Sequence, residues 1–182
     1  MPEFENVYPL GPMQSGVLFH VLFENADAGV YIEQSRFELE GSVDAAIMAS
    51  AWNAVIRRHE ALRTGFMWEG LSTPLQIVEP ADGLEIEIEC LDWRAEAAVE
   101  QRFAQFLAAD RARGFDLSRA PLMRVTLLRV ADVKWLLVWT HHHLVTDGWS
   151  SSVVLREVFG TYEALAAGRA PALSAAPPAQ FG

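Results

Sequence analysis

With 182 residues, 51% of them hydrophobic, the chain is long enough for one domain with a real core. A net charge of −10 argues against nucleic acid, whose phosphates demand a basic face. No apolar run approaches the ~20 residues that span a bilayer.

Tyr8-Pro9-Leu10-Gly11-Pro12 is turn-like, and a short helix is expected over 13–23. Pro12 suits a first helical position, and Met13, Val17 and Leu18 recur at helical spacing. A strand over 30–39 ends at Gly41-Ser42, with Ser42 the expected cap of an amphipathic helix over 43–58. Its stripe is Ile47, Ala51, Ala54 and Val55. Two strands follow, over 62–68 and 74–78, joined by a turn at Glu69-Gly70.

Leu84 to Cys90 alternates apolar residues with Glu85, Glu87 and Glu89, a period of two that predicts a strand with one wet face. Cys90, the single cysteine, is expected there as a buried, inert thiol; it excludes an internal disulfide and fits a reducing cytoplasm. A long helix is expected over 95–113, with Val99, Phe103, Phe106 and Leu107 on one side and Gly114 as its stop. Strands over 122–130 and 133–142 flank a turn at Ala131-Asp132, and the second is apolar enough to be covered on both faces. Ser150 is the expected cap of a last helix running to about Ala166. Beyond Gly168, Ala, Pro and Ser predominate, as in a linker. Strands interleaved with helices predict an α/β arrangement, a mixed sheet flanked by helices.

The N-terminus, Met1-Pro2-Glu3-Phe4-Glu5, lacks the basic start and apolar core of a signal peptide. Lys134 is the only lysine among 14 basic residues, and alanine is abundant, as in high-GC bacterial coding sequences. A cytoplasmic bacterial protein is the expectation.

The densest chemistry lies in His141-His142-His143-Leu144-Val145-Thr146-Asp147-Gly148-Trp149-Ser150. Along a strand, His141 and His143 share a face and His142 points away. Three chemistries fit. In acyl transfer, His143 is a base or hydrogen-bonding partner for an attacking amine or hydroxyl, with N–H groups of the following helix near the oxyanion. In metal binding, His141, His143 and Asp147 are ligands. In the third, the cluster is structural. Asp147 either orients the histidine or pairs with an arginine, and spacing does not decide between them.

His142-His143-Leu144-Val145-Thr146-Asp147-Gly148 resembles the HHxxxDG signature of condensation domains of nonribosomal peptide synthetases. Arg58-His59-Glu60-Ala61-Leu62-Arg63-Thr64-Gly65-Phe66 is similar to their RHExLRTxF motif. Tyr8 to Gln14 with Gly16 to His20 resembles the family's opening segment, and Gly114 to Leu117 with Ala120 to Leu122 another familiar stretch. The four occur in the family's order.

The resemblance implies a chloramphenicol-acetyltransferase-like half-domain: residues 1–167 as the N-terminal subdomain and 168–182 as a linker toward a missing C-terminal one. It implies amide formation between two thioesters on carrier-protein phosphopantetheine, with no cofactor or metal bound directly. His143 takes the catalytic position, as general base or positioner. His142, Asp147, Gly148, Arg63 and Trp149 support the site: Asp147 pairs with Arg63, Gly148 keeps the tunnel clear, and Trp149 is core or substrate contact. The run from His141 to Ser150 resembles the subtype joining an L donor to an L acceptor, and His142 speaks against the cyclisation subtype. Epimerisation domains share HHxxxDG and are the nearest confusion.

The implied partners are upstream and downstream carrier proteins, the C-terminal subdomain and the adenylation domain of the same synthetase, without nucleic acid or membrane. An isolated half is expected to be inactive. The alternatives are a non-catalytic carrier-docking module and a CoA-dependent HxxxD acyltransferase completed by oligomerisation. An acidic carrier would need a local basic patch, for which Arg111, Arg113, Arg119 and Arg124 are candidates beside the plainer reading of paired surface arginines.

Overall fold

Among the described residues the last strand, β7 (Lys134–His142), is covered on both faces, as its apolar run demands. In a computed structural model that describes residues 4–23 and 29–173, it lies inside a four-stranded sheet of order β2-β7-β6-β5. β2 (Ile32–Glu40) and β6 (Met123–Ala131) pair with it antiparallel, and β5 (Glu89–Asp92) joins β6 in parallel. A second, antiparallel sheet of order β1-β4-β3 holds β1 (Asn6–Pro9), β4 (Leu75–Val78) and β3 (Thr64–Met67). The helices are α1 (Pro12–Phe23), α2 (Ala45–Arg58), α3 (Val99–Ala112) and α4 (Gly148–Ala166), with a 3-10 turn at Glu60–Arg63.

Alternation along β7 assigns its two faces. Leu137 and Trp139 pack with Met48, Trp52 and Val55 of α2 and with Val154 and Val158 of α4. Trp52 and Trp139 are fully buried with ring centroids 5.2 Å apart, a contact worth about 1 kcal/mol beyond the area it buries. Leu136 and Val138 face the other way, toward Phe103 of α3 and Trp93. A third cluster joins Leu18 of α1, Phe66 of β3 and Leu122 to Leu144 and Val145, so α1 and the small sheet clamp the turn that follows β7.

Asp110 on α3 is buried and fastens that face, accepting from Gln34 at 2.8 Å, from Thr140 at 2.6 Å and from Arg124 at 2.5 Å. Arg111 donates to the Gly29 and Ile32 carbonyls, and Arg124 also donates to the Gly114 carbonyl. Arg111 and Arg124, two of the four candidate basic-patch residues, are thereby structural ties. Gly114 ends α3 at φ 61°, the left-handed conformation that a helix stop favours.

Several local expectations change. Asp44, not Ser42, caps α2, accepting from the Ala46 and Ile47 N–H groups. The turn between β6 and β7 falls at Asp132 and Val133. Residues 84–88 keep their alternation, with Ile86 buried and Glu85 and Glu87 exposed, but are not a strand. The Asn53 side chain replaces a ladder partner there, accepting from the Ile86 N–H at 2.8 Å and donating to its carbonyl at 3.2 Å. Cys90 is exposed on β5, which is an edge strand, so the buried thiol is a correction. Met13 is 76% exposed and lies outside the apolar face of α1. The linker residues 174–182 lie outside the described residues. Among the described residues, no helix is long and apolar enough to cross a membrane.

Candidate active site

Three consecutive histidines leave the sheet in three different environments. His141, directly opposite Glu33 on β2, is fully buried and stacks on Trp139 at 4.1 Å. Neither of its ring nitrogens is hydrogen-bonded. Burial, then the neighbouring His143 and His142, pushes its pKa down to about 4.

His142 points to the opposite face, near Tyr31 at 6.3 Å between centroids, and Tyr31 in turn meets His20 at 5.6 Å. Burial, then His143, lowers His142 to about 4 as well. Its Nδ1 accepts from the Leu144 N–H at 3.2 Å, and its carbonyl accepts from the Val145 N–H. A neutral ring therefore braces the turn.

His143 differs from both. Its N–H donates to the Tyr31 carbonyl at 2.9 Å, which still ties it to β2. Its side chain is 42% exposed, and Nε2 lies 3.5 Å from Glu33 Oε2. It also lines a cleft of about 290 Å³ bounded by the β1–α1 turn, the 3-10 turn and the β7–α4 turn. Gln14 stiffens this wall: Oε1 accepts from the Gly11 N–H, and Nε2 donates to the Leu144 carbonyl and to Gln76. Glu60, on the opposite side, accepts from Asn6 and Tyr8.

Asp147 ends the turn as the N-cap of α4. Its carboxylate accepts from the Ser150 N–H at 2.8 Å and the Ser150 hydroxyl at 2.5 Å, while Ser150 Oγ accepts from the Asp147 N–H at 2.9 Å. This reciprocal box makes Ser150 the third helical residue instead of the cap. The Ser150 hydroxyl and N–H bonds hold the Asp147 carboxyl below its ordinary range. The same cap consumes the Ser150 N–H, which removes that group as an oxyanion donor.

The expected pairing of Asp147 with Arg63 does not form. Arg63 is 2% exposed and donates to the Glu5 carboxylate at 2.8 Å and to the Glu79 carbonyl. From the 3-10 turn, its guanidinium closes the small sheet between the start of β1 and the end of β4. The second motif does reach α4, but farther along: His59 Nε2 lies 2.7 Å from Glu157, and Arg58 Nε 3.2 Å from it.

A Cβ added at Gly148 would meet nothing within 4 Å, so the space beside it is open. Trp149 is 87% exposed and does not line the cleft; it is not a core residue. Among the described residues, no group of three or more His, Cys, Asp or Glu is arranged to hold a metal.

Sequence reasoning missed Glu33 and Gln76, and it named Glu60 only as part of the second motif, without a place in the cleft. A glutamine buried between Leu75, Ile77 and Val78 was a signal for Gln76. Glu33 had none, because its place depends on the β2–β7 register.

Against known proteins, the condensation-domain family model matches residues 4–181. The chain belongs to the condensation domain family of nonribosomal peptide synthetases. It is 43% identical over 176 residues to a linear gramicidin synthase polypeptide of Brevibacillus parabrevis, covering 96% of this chain and 3% of that one. It is 36% identical over 176 residues to bacitracin synthase 3 of Bacillus licheniformis, covering 96% and 3%.

Among solved structures, the first condensation domain of the calcium-dependent antibiotic synthetase superposes with a TM-score of 0.84 at 22% identity, over 95% of this chain and 43% of that one. The starter condensation domain of rhizomide synthetase gives 0.82 at 25% identity, over 94% and 42%. The fold is chloramphenicol-acetyltransferase-like, and the chain spans less than half of each solved domain.

Proposed function

We propose that residues 1–167 are the N-terminal subdomain of an amide-forming condensation domain and that 168–182 lead toward a C-terminal subdomain. The amine of a downstream aminoacyl thioester attacks the carbonyl carbon of an upstream peptidyl or aminoacyl thioester. A C–N bond forms, the C–S bond breaks, and the departing sulfur takes up a proton. Both substrates arrive on the phosphopantetheine arms of carrier proteins, within a cytoplasmic bacterial synthetase that also holds an adenylation domain.

The observation that carries this reading is the exposure of His143. Of three adjacent histidines it alone has a solvent-facing ring, and that ring lines the cleft inside the family's signature. His143 is the catalytic residue, and its ring nitrogen accepts a proton from the amine. His142 and Asp147 hold the turn that carries it, Arg63 holds the small sheet behind the cleft, Gly148 leaves room beside it, and Trp149 faces outward for the second subdomain.

The finer reading is an L donor joined to an L acceptor, with the isolated half inactive, since one half supplies one wall of the site. The test is amide formation from two loaded carrier proteins by the full-length domain and by folded 1–182. The full domain makes the amide with the L donor, and 1–182 makes none. No amide from the full domain overturns the reading; preference for a D donor overturns the stereochemistry, and full turnover by 1–182 overturns the half-site.

A further inference from the structure

A histidine that accepts a proton gains from a carboxylate that orients its ring and stabilises the imidazolium. The loop of His143 does not supply one. Asp147 is taken up by the cap of α4, and Glu60 accepts from Asn6 and Tyr8. Glu33 comes instead from β2. It stands directly opposite His141 in the strand register, and His143 lies two residues further along the same face. The rings of His141 and His143 are 6.5 Å apart, and Glu33 Oε2 lies 3.7 Å from the first Nε2 and 3.5 Å from the second.

Among the described residues, no arginine or lysine is ion-paired with Glu33, unlike Glu5, Glu38 and Glu157. Burial keeps the His141 ring uncharged at neutral pH, so it offers no counter-charge. His143 lines the cleft and Glu33 does not, so the carboxylate meets the histidine from behind.

We infer that Glu33 is the positioning residue of His143, holding its ring from behind the cleft and stabilising the imidazolium formed during catalysis. This rests on the amide-forming reading and adds to it a residue that does not touch the substrate. One proton leaves the attacking nitrogen for His143, and the imidazolium hands a proton to the departing sulfur. The sum is amine plus thioester giving amide plus thiol, with His143 restored and Glu33 a carboxylate throughout. When the ring becomes a cation, its contact with Glu33 becomes an ion pair, and charge-assisted contacts are about twice as strong as neutral ones. Glu33 therefore acts on the transition state more than on the bound substrate.

The test measures amide formation from two loaded carrier proteins by the full-length domain. Glu33→Gln keeps the shape and removes the charge, and it lowers kcat by roughly tenfold or more with KM within about twofold. Glu33→Asp keeps the charge and stays within about threefold of wild type. With isotope-labelled histidine, the ring nitrogen NMR signals of His143 move in Glu33→Gln, while its thermal unfolding matches wild type. Wild-type kcat in Glu33→Gln overturns the inference. So does a loss carried by KM, an equal loss in Glu33→Asp, or unmoved ring signals. The NMR signals need no turnover and test the pair separately, whereas a domain that forms no amide refutes the reading beneath it.

Discussion

The corner around Arg63 and the turn after β7 each satisfy their charge locally, although the motif resemblance predicted one bridge between them. At the corner, a long guanidinium is buried among backbone and met by Glu5, a residue far away in sequence. At the turn, a short carboxylate folds back onto its own helix within three residues. The contrast separates two ways a motif residue can be structural. Arg63 closes a sheet and Asp147 starts a helix, so damage to one should not be felt at the other.

Acid should separate the regions most strongly. His141 and His142 are held neutral at about 4 against an ordinary 6.5, so the unfolded chain binds more protons between those values. Their stabilisation is complete above pH 6.5 and is lost as pH falls to 4, with an upper limit on the order of 3 kcal/mol for each ring. The Arg63 hydrogen bond holds Glu5 below its ordinary 4.5, so the corner keeps its stabilisation above that pH and loses it only in stronger acid. Hydrogen-exchange protection of amides 142–145, taken relative to the intrinsic rate at each pH, should fall between pH 6.5 and 4, while that of amides around Arg63 holds. Simultaneous loosening of both would break the distinction.

Mutation gives the next effects. Arg63→Ala should cost about 2–4 kcal/mol in denaturant unfolding, through lost packing and hydrogen bonds at a site 2% exposed. Asp147→Ala should cost about 1 kcal/mol, the usual loss for an N-cap. The smallest quantity is the most telling: in a double-mutant cycle the two should add to within about 0.5 kcal/mol. A coupling of 1 kcal/mol or more would restore the expected pair. The cycle between His59 and Glu157, 2.7 Å apart, is the positive control.

What the sequence made legible follows the range of each interaction. The elements around β7, the Gly114 stop and the opposed faces of His142 and His143 were readable, because period and punctuation are local signals. The Asp147–Ser150 box was readable in principle from Asp followed three residues later by Ser, yet the family resemblance assigned Asp147 to Arg63 instead. The 84–90 segment kept its alternation but lacked a ladder, since an asparagine on α2 took the partner's place. Cys90 and Met13 misled because apolar character does not say which edge a strand occupies or which helix face meets the core. Glu33 was invisible until two strands distant in sequence were set in register.

The central claim is that His143 does the chemistry while His142 braces the turn and His141 packs against Trp139. It is tested most directly by His143→Ala in the full-length domain, with amide formation from loaded carrier proteins and thermal unfolding read on the same sample. The exposed ring predicts at least a hundredfold loss of rate with stability changed by about 0.5 kcal/mol or less. Wild-type turnover in a folded His143→Ala domain would contradict it.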